Sequence, residues 1–79
     1  METKQLEELG LTKNEAIIYV FLLKTGETTT GKIIKETQIV NSQVYETLNS
    51  LISRGLVSYS VQKDGKHFSA CDPKKFIEL

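Results

Sequence analysis

The stretch NSQVYETLNSLISRG, Asn41 to Gly55, decides how the rest of the chain is read. Val44, Leu48, Leu51 and Ile52 recur at i, i+4, i+7 and i+8, which is the apolar stripe of an amphipathic helix. Ser42, Gln43, Thr47, Asn49 and Ser50 fill the other positions, and Glu46 and Arg54 are the only charges. Asn41 offers a side-chain acceptor at the helix start, and Gly55 stands where a helix ends in a left-handed residue. An outer face of amides and hydroxyls suits directional hydrogen bonding, and DNA base edges are one surface that it fits. A merely solvated face fits as well, so the flanking segments have to decide.

Seventy-nine residues with formal net charge zero make one small domain without a strong overall pull on nucleic acid or membrane. The charge is unevenly placed. Residues 1–27 carry three Lys and five Glu, whereas residues 28–71 carry four Lys and Arg54 against Glu36, Glu46 and Asp64. A mildly basic middle permits a phosphate-facing side. Cys71 is the only cysteine, so no internal disulfide forms. The start METKQLEELG is too polar for a signal peptide. The longest apolar run, Ala16 to Leu23, falls far short of the roughly 20 residues that span a bilayer. A cytoplasmic protein with no membrane partner is expected.

Upstream of the opening stretch, Thr3 to Leu9 reads as a short helix closed by Gly10. Thr12-Lys13-Asn14-Glu15 matches a capping box, with Leu11 placed for a hydrophobic staple on Ala16 or Ile17. A helix from Lys13 to about Thr25 follows, stopped by Gly26. It is apolar nearly all round, and Ile18, Tyr19 and Phe21 on its remaining sides need cover. The first short helix can cover part of them through Leu6, Leu9 and Leu11, and a second copy of the chain is the expected source of the rest. Homodimerisation is therefore expected through the N-terminal helices, with the C-terminal helix as a further candidate. Thr29 or Thr30 can cap a third helix running to about Thr37, with Ile33 and Ile34 inward. Gln38-Ile39-Val40 then leads into the opening stretch, giving two helices joined by a tight turn, a helix-turn-helix. The turn position usually held by a left-handed Gly holds Gln38.

Downstream of Gly55 the period changes from 3.6 to 2. Val57, Tyr59 and Val61 share one face, Ser58 and Ser60 the other, and Asp64-Gly65 is a two-residue hairpin signal. With that turn, Val61 faces Phe68, Tyr59 faces Ala70, and Lys63 faces Lys66 at the tip beside His67. The apolar residues fall on one face. A phosphate between the two lysines would relieve their repulsion. Asp72-Pro73 reads as the start of a last helix at about 73–79.

One His and one Cys cannot supply a three- or four-ligand metal site, and no acid, base and nucleophile converge. No enzyme, cofactor or metal is expected.

Helix, helix-turn-helix and hairpin in this order make a mainly α fold with a small β-hairpin, the winged helix-turn-helix. The whole chain, 1–79, is read as one such domain, with the recognition helix at about 41–54 and the wing at about 56–70. The chain resembles the N-terminal DNA-binding domain of the archaeal TrmB-type transcriptional regulators. The likeness rests on L-x-x-L-G-L-T-x-x-E-A at 6–16, L-L-x-x-G-E-x-T at 22–29 and S-x-V-Y-x-x-L-x-x-L-x-x-x-G-L-V at 42–57. It implies sequence-specific binding of double-stranded DNA by a dimer, with the 42–53 helix in the major groove and the 63–66 tip near the backbone or minor groove. Ser42, Gln43, Tyr45 and Asn49 are then the expected base or groove contacts. Thr28, Thr29, Thr30, Lys32, Asn41, Lys63, Lys66 and His67 are the expected phosphate and wing contacts. Position 43, often Arg or Lys in similar proteins, is Gln here. With Gln43 and Asn49 and no base-reaching cation, A·T-containing contacts are favoured over guanine. Longer family members append a sugar-sensing domain that has no counterpart in this sequence. The competing expectation is a winged helix used as a protein-interaction module, which zero net charge and a weakly charged recognition helix would suit.

Overall fold

The computed structural model describes residues 3–72. Its helices are α1 (Thr3–Glu8), α2 (Lys13–Thr25), α3 (Thr30–Thr37) and α4 (Asn41–Ser53). Its strands are β1 (Thr28–Thr29), β2 (Val57–Gln62) and β3 (Gly65–Ala70). The helix expected at about 73–79 lies outside the described residues.

The capping box forms as its residues dictate. Thr12 Oγ1 accepts the Glu15 N–H at 3.1 Å and Glu15 Oε1 accepts the Thr12 N–H at 2.8 Å. Leu11 and Ala16 are both buried in the same core cluster, so the apolar side of the cap closes too. From there α2 runs through the middle of the molecule. Ala16, Ile18, Tyr19 and Leu22 are buried, and Val20, Phe21 and Leu23 pack partly against them. Cover comes from α1, α3, α4 and β3 of the same chain. The apolar flank from which a partner was expected is therefore partly covered within the chain, with Ile17, Val20, Phe21 and Leu23 left half-buried. Fully burying a side chain such as Ile18, Leu22, Ile33, Leu48 or Leu51 contributes about 1.5–3 kcal/mol each. The Tyr19 hydroxyl donates to the Cys71 carbonyl at 2.6 Å, which fixes the chain leaving the wing against the middle of α2. Burial, reinforced by negative charge at Cys71 and Asp72, pushes the Tyr19 phenol up to about 12.

Thr29 caps α3, its Oγ1 accepting the Lys32 N–H at 3.4 Å. The turn into α4 is made by Gln38, which adopts the left-handed conformation at φ 59°, ψ 21° and donates its N–H to Ile34. A non-glycine residue therefore takes the strained position itself. The α4 start differs from expectation. Asn41 lies inside the helix, the cap position is Val40, and no side chain caps the first turn. Val40 has no oxygen in its side chain, and its carbonyl accepts the Val44 N–H, so the amides ahead of Val44 have no side-chain cap. At the other end Gly55 has φ 77°. The Gly55 N–H reaches the Ile52 carbonyl and the Leu56 N–H the Leu51 carbonyl, both at 2.9 Å. This pair of bonds is the Schellman motif, and it turns the chain into β2.

The sheet has the order β1-β3-β2, all antiparallel. Two features depart from the sequence reading. Thr28-Thr29, for which no strand was expected, forms a short strand paired with Phe68 and His67. The hairpin register is shifted by two residues: Val61 pairs with Lys66, Tyr59 with Phe68 and Val57 with Ala70. Lys63 and Lys66 are thus not opposed. A type I′ turn at Asp64-Gly65 needs positive φ at both residues, but only Gly65, at 115°, has it. The closing pair becomes Gln62 and Gly65, with Lys63-Asp64 between. The shift also seats Val57 beside Ala70 against the core, where Val57 is buried.

Relieving the left-handed strain at Gln38 is the direct test of the turn. Gln38→Gly should stabilise the fold by about 0.5–1 kcal/mol, net of the extra freedom that Gly gives the unfolded chain. Thermal unfolding should report a rise of about 3–6 °C for a domain of this size. A lowered midpoint would mean that Gln38 is not held left-handed.

Candidate nucleic-acid interface

One face of α4 is free. Ser42, Tyr45, Glu46, Asn49 and Ser53 are exposed, at spacings of three and four that put them on one side of the helix. Val44, Leu48 and Leu51 face the core on the other. Two residues expected on the outer face turn away from it. Thr47 is buried, and Ser50 donates its hydroxyl to Glu15 Oε2 at 2.7 Å. Arg54, the only cation of the stretch, lies with Nε 3.2 Å from the same oxygen. The Glu15 side chain is 3% exposed. Burial alone would raise its carboxyl, but hydrogen bonds from Thr12 and Ser50 and the Arg54 charge outweigh that and hold it below the ordinary glutamate value. The start of α2 is thereby fastened to the end of α4.

Gln43 stands at the edge of the free face. Its Oε1 accepts from Asn14 Nδ2, on the first turn of α2, at 3.2 Å. This leaves the Gln43 amide N–H groups as the outward-facing donors. A cleft between the two helices runs along Asn14, Glu15, Gln43, Thr47 and Arg54.

On the other side of Tyr45, a groove separates α4 from the wing tip. It is lined by Thr29, Thr30, Gly31, Tyr45, Asp64, Gly65, Lys66 and Phe68. The first turn of α3 opens onto it, and a Cβ on Gly31 would meet nothing closer than Thr29 Oγ1 at 4.0 Å. Helix starts present free amides and a partial positive charge, so they suit anions. Lys63 is exposed at the tip, and Lys66 places Nζ 4.9 Å from the Tyr59 ring centroid. Lys32 is exposed on α3.

Two expected contacts are not on this side. Thr28 is buried, because its register opposite Phe68 directs it at the core. His67 is the neighbour of Lys66 on β3, and neighbours on a strand point to opposite faces. It sits between carboxylates, with Nε2 2.7 Å from Asp64 and Nδ1 3.7 Å from Glu27. The hydrogen bond from His67 holds the Asp64 carboxyl below its usual range. Asn14, Glu15 and Tyr59 are neighbours of the interface that the sequence reading did not include. Their partners lie far along the chain, and only the capping motif around Glu15 was visible locally. Among the described residues no three His, Cys, Asp or Glu side chains gather as metal ligands, and no helix is long and apolar enough to cross a membrane.

Comparison with known proteins gives a consistent result. A family model described as "Sugar-specific transcriptional regulator TrmB" matches residues 6–76. The chain is 37% identical over 54 residues to the HTH-type sugar sensing transcriptional regulator TrmBL1 of Pyrococcus furiosus, covering 68% of this chain and 16% of that protein. Its fold is similar to that of TrmBL2, described as an archaeal chromatin protein with a novel mode of DNA binding. The TM-score is 0.83 at 24% identity, over 98% of this chain and 30% of that one. It is also similar to the ST1889 protein of Sulfolobus tokodaii, with a TM-score of 0.80 at 14% identity over 99% and 86% of the two chains. The YusO protein of Bacillus subtilis gives 0.79 at 20% identity over 98% and 59%. The winged helix-turn-helix architecture is shared by these structures.

The Glu15 fastening should carry a pH signature. Its folded carboxyl titrates below the unfolded value of about 4.3, so the stabilisation is complete above that value and is lost as pH falls through the folded pKa. Glu15→Gln should destabilise by about 1–3 kcal/mol near neutral pH. In urea unfolding the gap between the variant and the parent should close as pH is lowered from about 6 to about 3. A gap that stays constant over this range would exclude a charged Glu15 as its source.

Proposed function

The chain belongs to the TrmB family of transcriptional regulators, and from that premise we propose that it binds double-stranded DNA in a sequence-specific manner. The observation that supports this most is the free face of α4. It presents Ser42, Tyr45 and Asn49 beside a groove onto which the first turn of α3 and the wing's Lys66 open, with the uncapped start of α4 at its own end. In this reading α4 lies in the major groove, with Ser42, Gln43, Tyr45 and Asn49 at base edges or groove walls. Asn41, at an uncapped helix start, positions a phosphate, as do Thr29 and Thr30 at the start of α3. Lys32, Lys63 and Lys66 supply the cations. Gln43 has its carbonyl oxygen engaged by Asn14, so it reads an acceptor, guanine N7 or O6 or thymine O4, rather than making a paired contact with adenine.

The regulator is placed in the cytoplasm and acts as a homodimer on DNA. A dimer built on α2 would rest on Ile17, Val20, Phe21 and Leu23, which are half-buried within the chain. Leu9 is the large apolar residue left exposed beside it.

One observation favours the other reading, a protein-interaction module. With Arg54 held by Glu15, Glu46 is the only charged side chain on the free face of α4. Selection of bound sequences from random duplexes at two salt concentrations separates the two. Enrichment supports base readout; no retention even at low salt would sink the DNA reading. Gln43→Ala should relax preference at one base pair, worth about 1–3 kcal/mol of discrimination. Replacing Lys63 and Lys66 together by Ala should weaken binding to every sequence and reduce the slope of log K against log salt by about 2.

A further inference from the structure

Lys63 and Lys66 are the two lysines of the wing, and their surroundings differ. Lys63 lies in the turn between the closing pair Gln62 and Gly65, is exposed, and lines neither of the two clefts beside α4. Lys66 stands on β3 opposite Val61 and two residues before Phe68, so it shares the face of the sheet that carries Phe68 to the core. Its diagonal neighbour across the ladder on that face is Tyr59, which pairs with Phe68. The Lys66 Nζ lies 4.9 Å from the centre of the Tyr59 ring, within cation–π range.

The ring is anchored in turn. Its centroid is 6.1 Å from that of Phe68, with the planes inclined at 40°, and Phe68 belongs to the buried core. Tyr59 itself is half exposed, which leaves ring surface for the cation. A surface lysine ordinarily samples many rotamers and loses them when it binds. Here the ring draws the ammonium back along the wing, away from the tip. Lys66 accordingly lines the groove beside α4 together with Thr30, Gly31, Tyr45 and Phe68, whereas Tyr59 does not line it. Asp64 is the one carboxylate on that groove, and it is hydrogen-bonded to His67 at 2.7 Å. No ion pair among the described residues neutralises Lys66.

We infer that Tyr59 is the positioning residue for Lys66. Its ring holds the ammonium over the groove between α4 and the wing, where the lysine meets a phosphate of the DNA strand running through that groove. The phosphate contact rests on the DNA reading above; the Tyr59–Lys66 contact is a property of the free chain. A cation over a ring face keeps donors free on the side away from the ring, so the contact and the phosphate are compatible. Tyr59 thus acts on DNA through Lys66 and not by touching it, and the two wing lysines are unequal: Lys66 is pre-oriented and Lys63 is a mobile charge.

Two measurements test this, one without DNA. In proton NMR of the free chain, ring-current shielding should move the Lys66 ε-methylene resonances upfield of those of Lys63. Tyr59→Phe should keep the shift and Tyr59→Leu should abolish it. Absence of the shift in the parent chain, or its survival in Tyr59→Leu, overturns the inference whatever DNA binding shows. Binding to a mixed-sequence duplex is then followed against salt concentration. Tyr59→Leu should weaken it about 2- to 5-fold and reduce the slope of log K against log salt by about 1, while Tyr59→Phe should match the parent. In a Lys66→Ala background Tyr59→Leu should have no further effect. A loss that persists in that background places Tyr59 on the DNA or in support of the fold, and overturns the positioning role. Failure of the DNA reading looks different: the parent chain itself is not retained at low salt, and the phosphate contact falls with it.

Discussion

A single buried carboxylate sets the relation between the two helices on which the interface depends. Glu15 closes the cap of α2 through the Thr12 amide, and its second oxygen takes both the Ser50 hydroxyl and the Arg54 guanidinium. Stripping water from a carboxylate is costly, so the site holds only because its acceptor positions are filled. The consequence is positional. α2 is gripped on many sides by the core, and α4, which has a free outer face, inherits that rigidity at its C-terminal half. The Asn14–Gln43 contact adds a weaker, exposed tie one helical turn from the other end. Reading groups are held best when their supports are fixed by packing.

The arrangement sorts the charges of a chain of zero net charge onto different faces. Among the exposed cations are Lys32 and Lys35 on α3 and Lys63 and Lys66 on the wing, and the start of α4 adds its uncapped amides. Arg54 is turned inward to neutralise Glu15, and His67 is turned to the far face between Glu27 and Asp64. Total charge is therefore a poor guide here, because cations and anions are sorted by face and by burial.

Much of the fold was legible because it is written in local chemistry. Thr12-x-x-Glu15 marks a helix start, Gly26 and Gly55 mark helix ends, and the switch from period 3.6 to 2 after Gly55 marks the wing. What escaped was relational. A two-residue register shift leaves every side chain on the same face, so agreement of faces could not separate Val61–Phe68 from the observed Tyr59–Phe68 pairing. The positive φ at Gly65 alone, and the fit of Val57 to the core, decide it. β1 is only two threonines and carries no periodic signal; its identity comes from β3 beside it. In the candidate interface, the amides and hydroxyls of Asn41 to Asn49 were readable as a polar face. The roles of Ser50 and Arg54 were not, because both are set by Glu15, more than thirty positions away.

The Tyr19 hydroxyl bond to the Cys71 carbonyl has a mechanical meaning. With its phenol raised to about 12, Tyr19 keeps its proton, and so this donor, across the range in which proteins work. The backbone leaving the wing is thus tethered at a fixed point to the central helix. A pull or twist arriving along the chain at Cys71 is delivered to the middle of α2, among the buried Ile18, Tyr19 and Leu22, instead of prying the wing loose. The same helix carries Glu15 about one turn earlier, at its start. The last described residues and the far end of the reading helix are therefore connected by a short, stiff linkage: Cys71 to Tyr19, along one turn of α2 to Glu15, and across to Ser50 and Arg54.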